Sequence, residues 1–475
     1  HCLMILIALI LLIAYGVLVV YTVMSIARGK FEALLLYAIV FLPVYALFLS
    51  FTYEVFESQV LARIIQYSKE LIIFGALFTW IFGQKNVLNT RWHISFLDSC
   101  FIAFLGLTVL YFALGLGDAT VVNRAIYVKN ILLICIFYFF GRNIKVPFSE
   151  WNRMFQIVFI ITVLACGLVV IEKLAGTHFH TFAGYAKYNL DIKGEEPTGI
   201  YGLAWTFEAE GGRPRYGSFF AHPLELSSGM LISAAVCIFY LLFVPHKNNK
   251  YKYLGILACA FICVLFAYSR ASFVAFFMML AFIALLLRYY QLLLAGFAVF
   301  VLIGLFIVFF AAEEVLFFVI DTLTFENSSS MTHIVDWLAA VNSIIESPMG
   351  IGLAMSGNAG GVEKELIVGG ENQFLVYGVQ MGVIGMLIYI AMLGFGIRNA
   401  WRAFRMADNR QESLIAFAAA AVKFGLILPL FTANAEVYIY VCLVSWWCIG
   451  YAETQYQTRR ALRRRPKLAL NTAPA

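Results

Sequence analysis

Apolar residues run through this chain in blocks of about twenty, separated mostly by short polar connectors, across residues 3–451. A bilayer core roughly 30 Å thick accepts about 20 apolar residues per helix. The blocks therefore predict spans at 3–24, 33–51, 64–83, 96–116, 125–141, 154–174, 224–244, 253–270, 271–288, 291–311, 372–397, 412–431 and 436–452. The fold expected is an all-α polytopic membrane protein with about 12–14 transmembrane helices. The first block has the length of a span, with no basic residue before it and no small-residue cleavage site after it, so it reads as a span and not as a cleavable signal.

Two connectors break the rhythm, at 175–223 and 312–371. They divide the chain into N-terminal helices (1–174), a first long loop (175–223), central helices (224–311), a second long loop (312–371), C-terminal helices (372–452) and a basic tail (453–475). In a polytopic protein, chemistry concentrates on such loops while helices supply packing. The second loop is acidic, with Glu313, Glu314, Asp321, Glu326, Asp336, Glu346, Glu363, Glu365 and Glu371 against Lys364. Within it Ile334, Leu338, Val341 and Ile345 recur at helical spacing, which predicts a surface helix over 333–345. The glycine-rich run 350–370 reads as irregular turns, and there is no internal repeat or inverted pair of broken spans.

Composition agrees with the bilayer reading: 63% of residues are hydrophobic, 13% are charged, and the mean hydropathy is +0.87. Nine cysteines lie mostly inside apolar runs without paired spacing, as small core residues do. Alternate connectors, around Arg28, 85–91, 142–153, 247–252, Arg288, 398–410 and the tail, hold 21 of the 33 Lys and Arg. The positive-inside rule assigns these to the cytoplasm and both long loops to the outer face. The tail carries Arg459, Arg460, Arg463, Arg464, Arg465 and Lys467 beside Glu453, a juxtamembrane pattern that points to anionic lipid and not to nucleic acid.

Ionisable residues at the outer ends of spans are costly enough to call for a function. Arg270, in Ser269-Arg270-Ala271 between two apolar runs, reads either as an interfacial residue that ends a span or as a phosphate ligand, whose fixed fork of donors suits a diphosphate. Arg213 and Arg215 stand among Gly, Pro and aromatic residues, which predicts a compact turn packed on the membrane; their other reading is a solvated pair beside Glu208 and Glu210. Glu371 opens the 372–397 span and is either a helix-terminal carboxylate or a general base. Lys423 reads as paired within the bundle or snorkelling, and His222 and His333 as hydrogen-bonded structural residues. Tyr201, Trp205, Phe207 and Tyr216 present faces for sugar stacking or for interfacial anchoring. No Walker loop, HExxH, GxSxG or GxGxxG occurs, so no signal supports ATP-driven transport, zinc proteolysis, serine hydrolysis or dinucleotide binding.

Three features resemble the bacterial O-antigen ligase and Wzy-type polysaccharide polymerase superfamily. Residues 215–223 (Arg-Tyr-Gly-Ser-Phe-Phe-Ala-His-Pro) are similar to the family's outer-loop arginine pattern, with Leu224 where Asn usually follows the Pro. Ser269-Arg270-Ala271 matches its tight outer turn. Glu371-Asn372, nine residues, Gly382, two residues and Gly385 reproduce the spacing of the ligase motif, with Glu371 in place of its His. Trp337, Glu346, Pro348, Gly350 and Gly352 resemble the run before that motif.

The resemblance implies a GT-C-type glycosyltransferase with no cofactor and no metal, whose donor is an undecaprenyl-diphosphate-linked oligosaccharide. By position, Arg215 and Arg270, with Arg213, hold the diphosphate and Glu371 assists the acceptor hydroxyl, while His222, Asn372, Trp205 and Tyr216 are weaker substrate contacts. In-line attack opposite the leaving diphosphate predicts inversion. The reading expected is a polysaccharide polymerase of the bacterial plasma membrane, its site outward, its tail cytoplasmic, and a chain-length regulator a candidate partner. A ligase using another acceptor is the alternative, and a lipid-linked oligosaccharide flippase is the alternative of another class.

Overall fold

The computed structural model describes residues 2–83, 94–209, 212–244, 249–291, 328–357 and 367–464, with 293, 294, 296–298, 301, 302 and 305 between them. The first helices are α1 (Cys2–Ala27), α2 (Glu32–Phe41), α3 (Tyr45–Phe56), α4 (Gln59–Gly83), α5 (Phe96–Leu114), α6 (Val121–Asn143) and α7 (Phe148–Ala175). After the first long loop come α8 (Pro223–Phe243), α9 (Lys250–Phe266) and α10 (Arg270–Leu286). The remainder is α11 (Ser328–Glu346), α12 (Gln373–Met406), α13 (Arg410–Gly425), α14 (Ile427–Thr432) and α15 (Ile439–Arg464). Strands β1 (Glu208–Ala209) and β2 (Arg213–Pro214) pair antiparallel in the first loop, Ala209 opposite Arg213.

The protein is thus an all-α polytopic membrane protein. Among the described residues eight helices are long and apolar enough to cross a bilayer, or nine with the bent pair α2 and α3 counted as one span. That pair makes up the expected 33–51 span, broken by 61°. Pro43 lies in the break, where it supplies no N–H and cannot continue the helical ladder. The lower number reflects helix length: α9 and α10 have 17 residues each, and α15 reaches the charged Glu453 after 14 residues. The expected span 291–311 lies largely outside the described residues. So do the connector 85–91, Glu210, Lys247, Glu313, Glu314, Asp321, Glu326, Glu363, Lys364, Glu365, Arg465 and Lys467.

Burial sorts the helices by neighbour. Helix α1 turns Leu3, Ile10, Ile13 and Val17 outward and buries only Ala8, Thr22, Ser25 and Ile26, as a lipid-facing helix does. Helices α8 and α13 lie in the centre and bury most of their residues. Seven of the nine cysteines are buried and none forms a disulfide, as their positions in apolar runs suggested.

Lys423 of α13 is paired inside this core: its Nζ lies 3.5 Å from Glu436 Oε1 and 3.8 Å from the centre of the Trp446 ring. Tyr389 Oη, Cys442 Sγ and Trp446 Nε1 donate to the same carboxylate at 2.5, 2.5 and 3.1 Å. Removing one member of a satisfied buried pair leaves an uncompensated charge. Lys423→Met is therefore expected to destabilise the protein by about 3–5 kcal/mol, read as a lower unfolding temperature in detergent.

Helix α12 is broken at Gly382, whose φ of 72° and ψ of −178° belong to a region that only glycine occupies readily. The break exposes carbonyls that the preceding loop uses: Ile351 N–H donates to Val379 O at 2.8 Å and Gly352 N–H to Gln380 O at 3.2 Å. In return Val383 N–H donates to Pro348 O at 3.0 Å. A Cβ on Gly382 would lie 2.4 Å from that same oxygen. Gly382→Ala is expected to cost on the order of 1–3 kcal/mol in backbone strain alone, visible as a fall in unfolding temperature and faster proteolysis of the 347–372 segment.

Candidate functional site

The first long loop is folded compactly against the helices. Glu172, at the end of α7, accepts from Phe179 N–H at 2.8 Å and Ser218 N–H at 3.0 Å, which ties both ends of the loop together. His180 Nε2 bonds Phe220 O at 2.7 Å. Burial holds His178 and His180 at about 4 and about 3, so both stay neutral and pack as rings against Phe207. On this base Arg215 N–H donates to Phe207 O at 2.8 Å, and Tyr216 N–H to Phe266 O at 3.1 Å. The second bond docks the arginine segment on the turn between α9 and α10. That turn ends at Ser269, whose Oγ caps α10 through Ser272 N–H at 3.3 Å. Arg270 follows as the first residue of α10, at the positive end of its dipole.

The second loop delivers the carboxylate. Ser356 Oγ donates to Val368 O at 2.7 Å and Gly369 O at 3.0 Å, and Asn434 Nδ2 donates to Gly370 O at 2.8 Å. A Cβ on Gly369 would lie 2.7 Å from Ala340 Cβ and Asp336 O, so the glycine lets this strand of the loop rest on α11. Asn372 then caps α12, its Oδ1 accepting from Phe374 N–H at 3.0 Å and Leu375 N–H at 3.2 Å. Capping is thus the work of Asn372 and not of Glu371. Glu371 meets α11 instead: His333 Nδ1 lies 2.8 Å from its Oε2, a contact that is ionic when the imidazole is protonated.

Arg215, Arg270, His333, Trp337, Glu371 and Tyr438 line one cavity of about 400 Å³ at the end of the bundle where α8, α10 and α12 begin. Arg215 is packed into its wall, with Nε buried and without a hydrogen-bond partner among the described residues, as is Trp337 Nε1. Burial first, and then the charge of Arg270, hold the Arg215 guanidinium below the usual arginine range. Burial and the nearby Glu371 charge push the Tyr438 phenol up, which keeps it a donor. Buried donors such as Arg215 Nε and Trp337 Nε1 suit a ligand rich in acceptors. Among the described residues no three of His, Cys, Asp and Glu are grouped as metal ligands.

The arginine and carboxylate candidates thus meet, with one exception. Arg213 stays exposed in β2, paired with Ala209, and does not line the cavity. Trp205 lines it and is 53% exposed, available for stacking. Tyr216 is fully buried beside the His178 ring and lines neither this cavity nor a larger neighbour. His222 caps α8 through Glu225 N–H at 3.3 Å, and burial lowers its imidazole to about 4; it lines the larger cavity. His333 was read as a hydrogen-bonded structural residue, and the structure places its Nδ1 2.8 Å from Glu371 Oε2. The signal for it was its place one helical turn before Trp337 on the surface helix.

A helical bundle with arginines and a carboxylate converging at the ends of its helices defines the class: a polytopic membrane protein with a charged cavity at one end of the bundle. Residues 255–390 match the family model described as O-Antigen ligase, which bears out the resemblance read from the sequence. The matched stretch includes Arg270, His333, Glu371, Gly382 and Gly385, and Arg215 lies before it. The match supports a glycosyltransferase-like enzyme of the O-antigen ligase and polymerase kind, acting on lipid-linked oligosaccharide in the membrane. No match is found among curated proteins.

Proposed function

We propose that the protein is a Wzy-type polysaccharide polymerase that moves a glycan from an undecaprenyl-diphosphate donor to an acceptor sugar hydroxyl. The observation that carries this reading is the cavity itself, in which Arg215 and Arg270 share walls with the Glu371 and His333 pair. As the bond from the anomeric carbon to the diphosphate breaks, negative charge grows on the leaving oxygens. Fixed guanidinium groups stabilise that charge more in the transition state than in the bound donor. Glu371 takes the proton of the acceptor hydroxyl as its oxygen attacks the anomeric carbon, and the diphosphate departs on the opposite side, which inverts the centre. His333 orients the carboxylate. No metal is assigned to the reaction, and Trp205 offers a face for a sugar ring.

The site faces the outside of a bacterial plasma membrane in this reading, because the connectors at the other end of the bundle carry the basic residues. The described part of the tail, with Arg459 and Arg460 on α15, is then cytoplasmic. A chain-length regulator is a candidate partner. A ligase using another acceptor is the second reading; it is favoured by the description of the matched family and by an imidazole beside Glu371, where ligases carry a motif His. Purified protein in nanodiscs supplied with lipid-linked repeat units decides between them. A polymerase lengthens the units with no other acceptor present, a ligase moves them at unchanged length onto its acceptor and only once that is added, and a flippase leaves them on their lipid at unchanged length.

A further inference from the structure

The larger cavity, of about 620 Å³, lies back to back with the arginine cavity. Residues one or two positions apart divide between the two: Gln373, Asn434, Val437 and His222 line the larger one, while Glu371, Ala433, Tyr438 and Leu224 line the smaller. A single layer of chain therefore separates them. The larger volume lies within the about 300–1,000 Å³ usual for ligand sites. Its other walls include Tyr45, Ala46 and Leu49 of α3, the first halves of α4 and α6, and Tyr185, Tyr188, Lys193 and Glu195 of the first long loop.

The chemistry of these walls is specific. Six of the lining residues are tyrosines, among them Tyr67, Tyr127 and Tyr188; the amides of Gln66, Asn130, Gln373 and Asn434 stand between them, and Lys69, Lys129, Glu225 and Glu436 add charged groups of both signs. Gln373 and Asn434 are 3% and 6% exposed, and Gln373 Oε1 and Asn434 Oδ1 are buried with no hydrogen-bond partner among the described residues. The bond from Asn434 Nδ2 to Gly370 O fixes that amide, so its oxygen is the end left over. Orphaned acceptors in a wall of aromatic faces call for a ligand that brings hydroxyl donors and apolar ring faces together. A saccharide has both.

We propose that the larger cavity binds the acceptor glycan, a short oligosaccharide whose hydroxyls satisfy Gln373 and Asn434. Its growing end then has only one layer of chain to round before it meets Glu371. The acceptor role rests on the transferase reading above; binding of a saccharide does not.

The probe is the free oligosaccharide released by mild acid from the host's lipid-linked repeat unit, titrated into the full-length protein in nanodiscs. Gln373→Met, which keeps side-chain length, is expected to weaken binding by about tenfold, the worth of one or two neutral hydrogen bonds. Ala46→Trp, which fills the cavity from α3, is expected to abolish it. Arg270→Ala is expected to leave it unchanged, since the probe carries no diphosphate. Unfolding temperatures within a few degrees of the parent confirm that the variants are folded. Oligosaccharide binding that survives both cavity variants, or that is lost only in Arg270→Ala, overturns the proposal. So does loss of a co-purifying lipid from Ala46→Trp with saccharide binding intact. Absence of any transfer by the parent protein given lipid-linked repeat units and acceptor would instead defeat the transferase reading and leave the saccharide site standing.

Discussion

Glu371→Gln is expected to keep the protein folded and able to bind donor while lowering chain elongation by roughly 10² to 10⁴, the usual worth of a general base. Folding survives because the α12 cap belongs to Asn372, and the segment before it is held by Ser356 and Asn434 through backbone carbonyls that the substitution leaves alone. Glutamine has the size of glutamate but does not accept the proton. The 2.8 Å contact with His333 Nδ1 sharpens the experiment. With His333 in an orienting role, His333→Ala lowers elongation less than Glu371→Gln, and Glu371→His restores part of it. Should His333→Ala match the glutamine variant, the imidazole is the base and Glu371 its partner. Near-normal elongation by Glu371→Gln removes the carboxylate from the mechanism and leaves the arginines as an electrostatic site.

Arg270→Ala is expected to reduce elongation by about 10² to 10³, the range for losing one preorganised donor to developing negative charge. Arg270→Lys is expected to recover only part of it, because an ammonium keeps the charge but not the planar fork. Arg215→Ala is expected to act in the same direction and to combine with Arg270→Ala less than additively, since the two charges share one cavity and each feels the other. Arg213→Ala serves as the contrast: exposed in β2 and outside the cavity, it is expected to leave elongation within about twofold, as surface changes usually do. Initial rates against donor concentration, with unfolding temperatures in parallel, check all four. An Arg270→Ala enzyme that keeps its full rate at saturating donor breaks the proposed link between this guanidinium and the leaving group.

Much of the molecule was legible from the chain because a bilayer imposes a one-dimensional rule. A span must be apolar over a fixed length, so hydropathy alone marked the helices, and the pairing of Lys423 followed from the cost of an isolated charge among them. The same rule made Arg270 and Glu371 conspicuous, because they stand where apolar runs begin. It does not speak to helix ends, bends or partners. Pro43 broke one expected span, and Gly382, marked as a motif position, proved to be where α12 opens to receive the 347–352 segment.

The sequence by itself therefore determined an all-α membrane bundle and the charged residues that need a reason. The tertiary structure decided which of them meet. Arg213 and Arg215 are two residues apart and chemically alike, yet only Arg215 is drawn into the cavity, by backbone bonds from residues 215 and 216 to Phe207 and Phe266. His333 and Glu371 are far apart in the chain and touch because the surface helix α11 lies against Gly369. Side chains of distant segments come together through backbone packing at loops and helix ends, and hydropathy, a property of each stretch alone, carries no record of that packing.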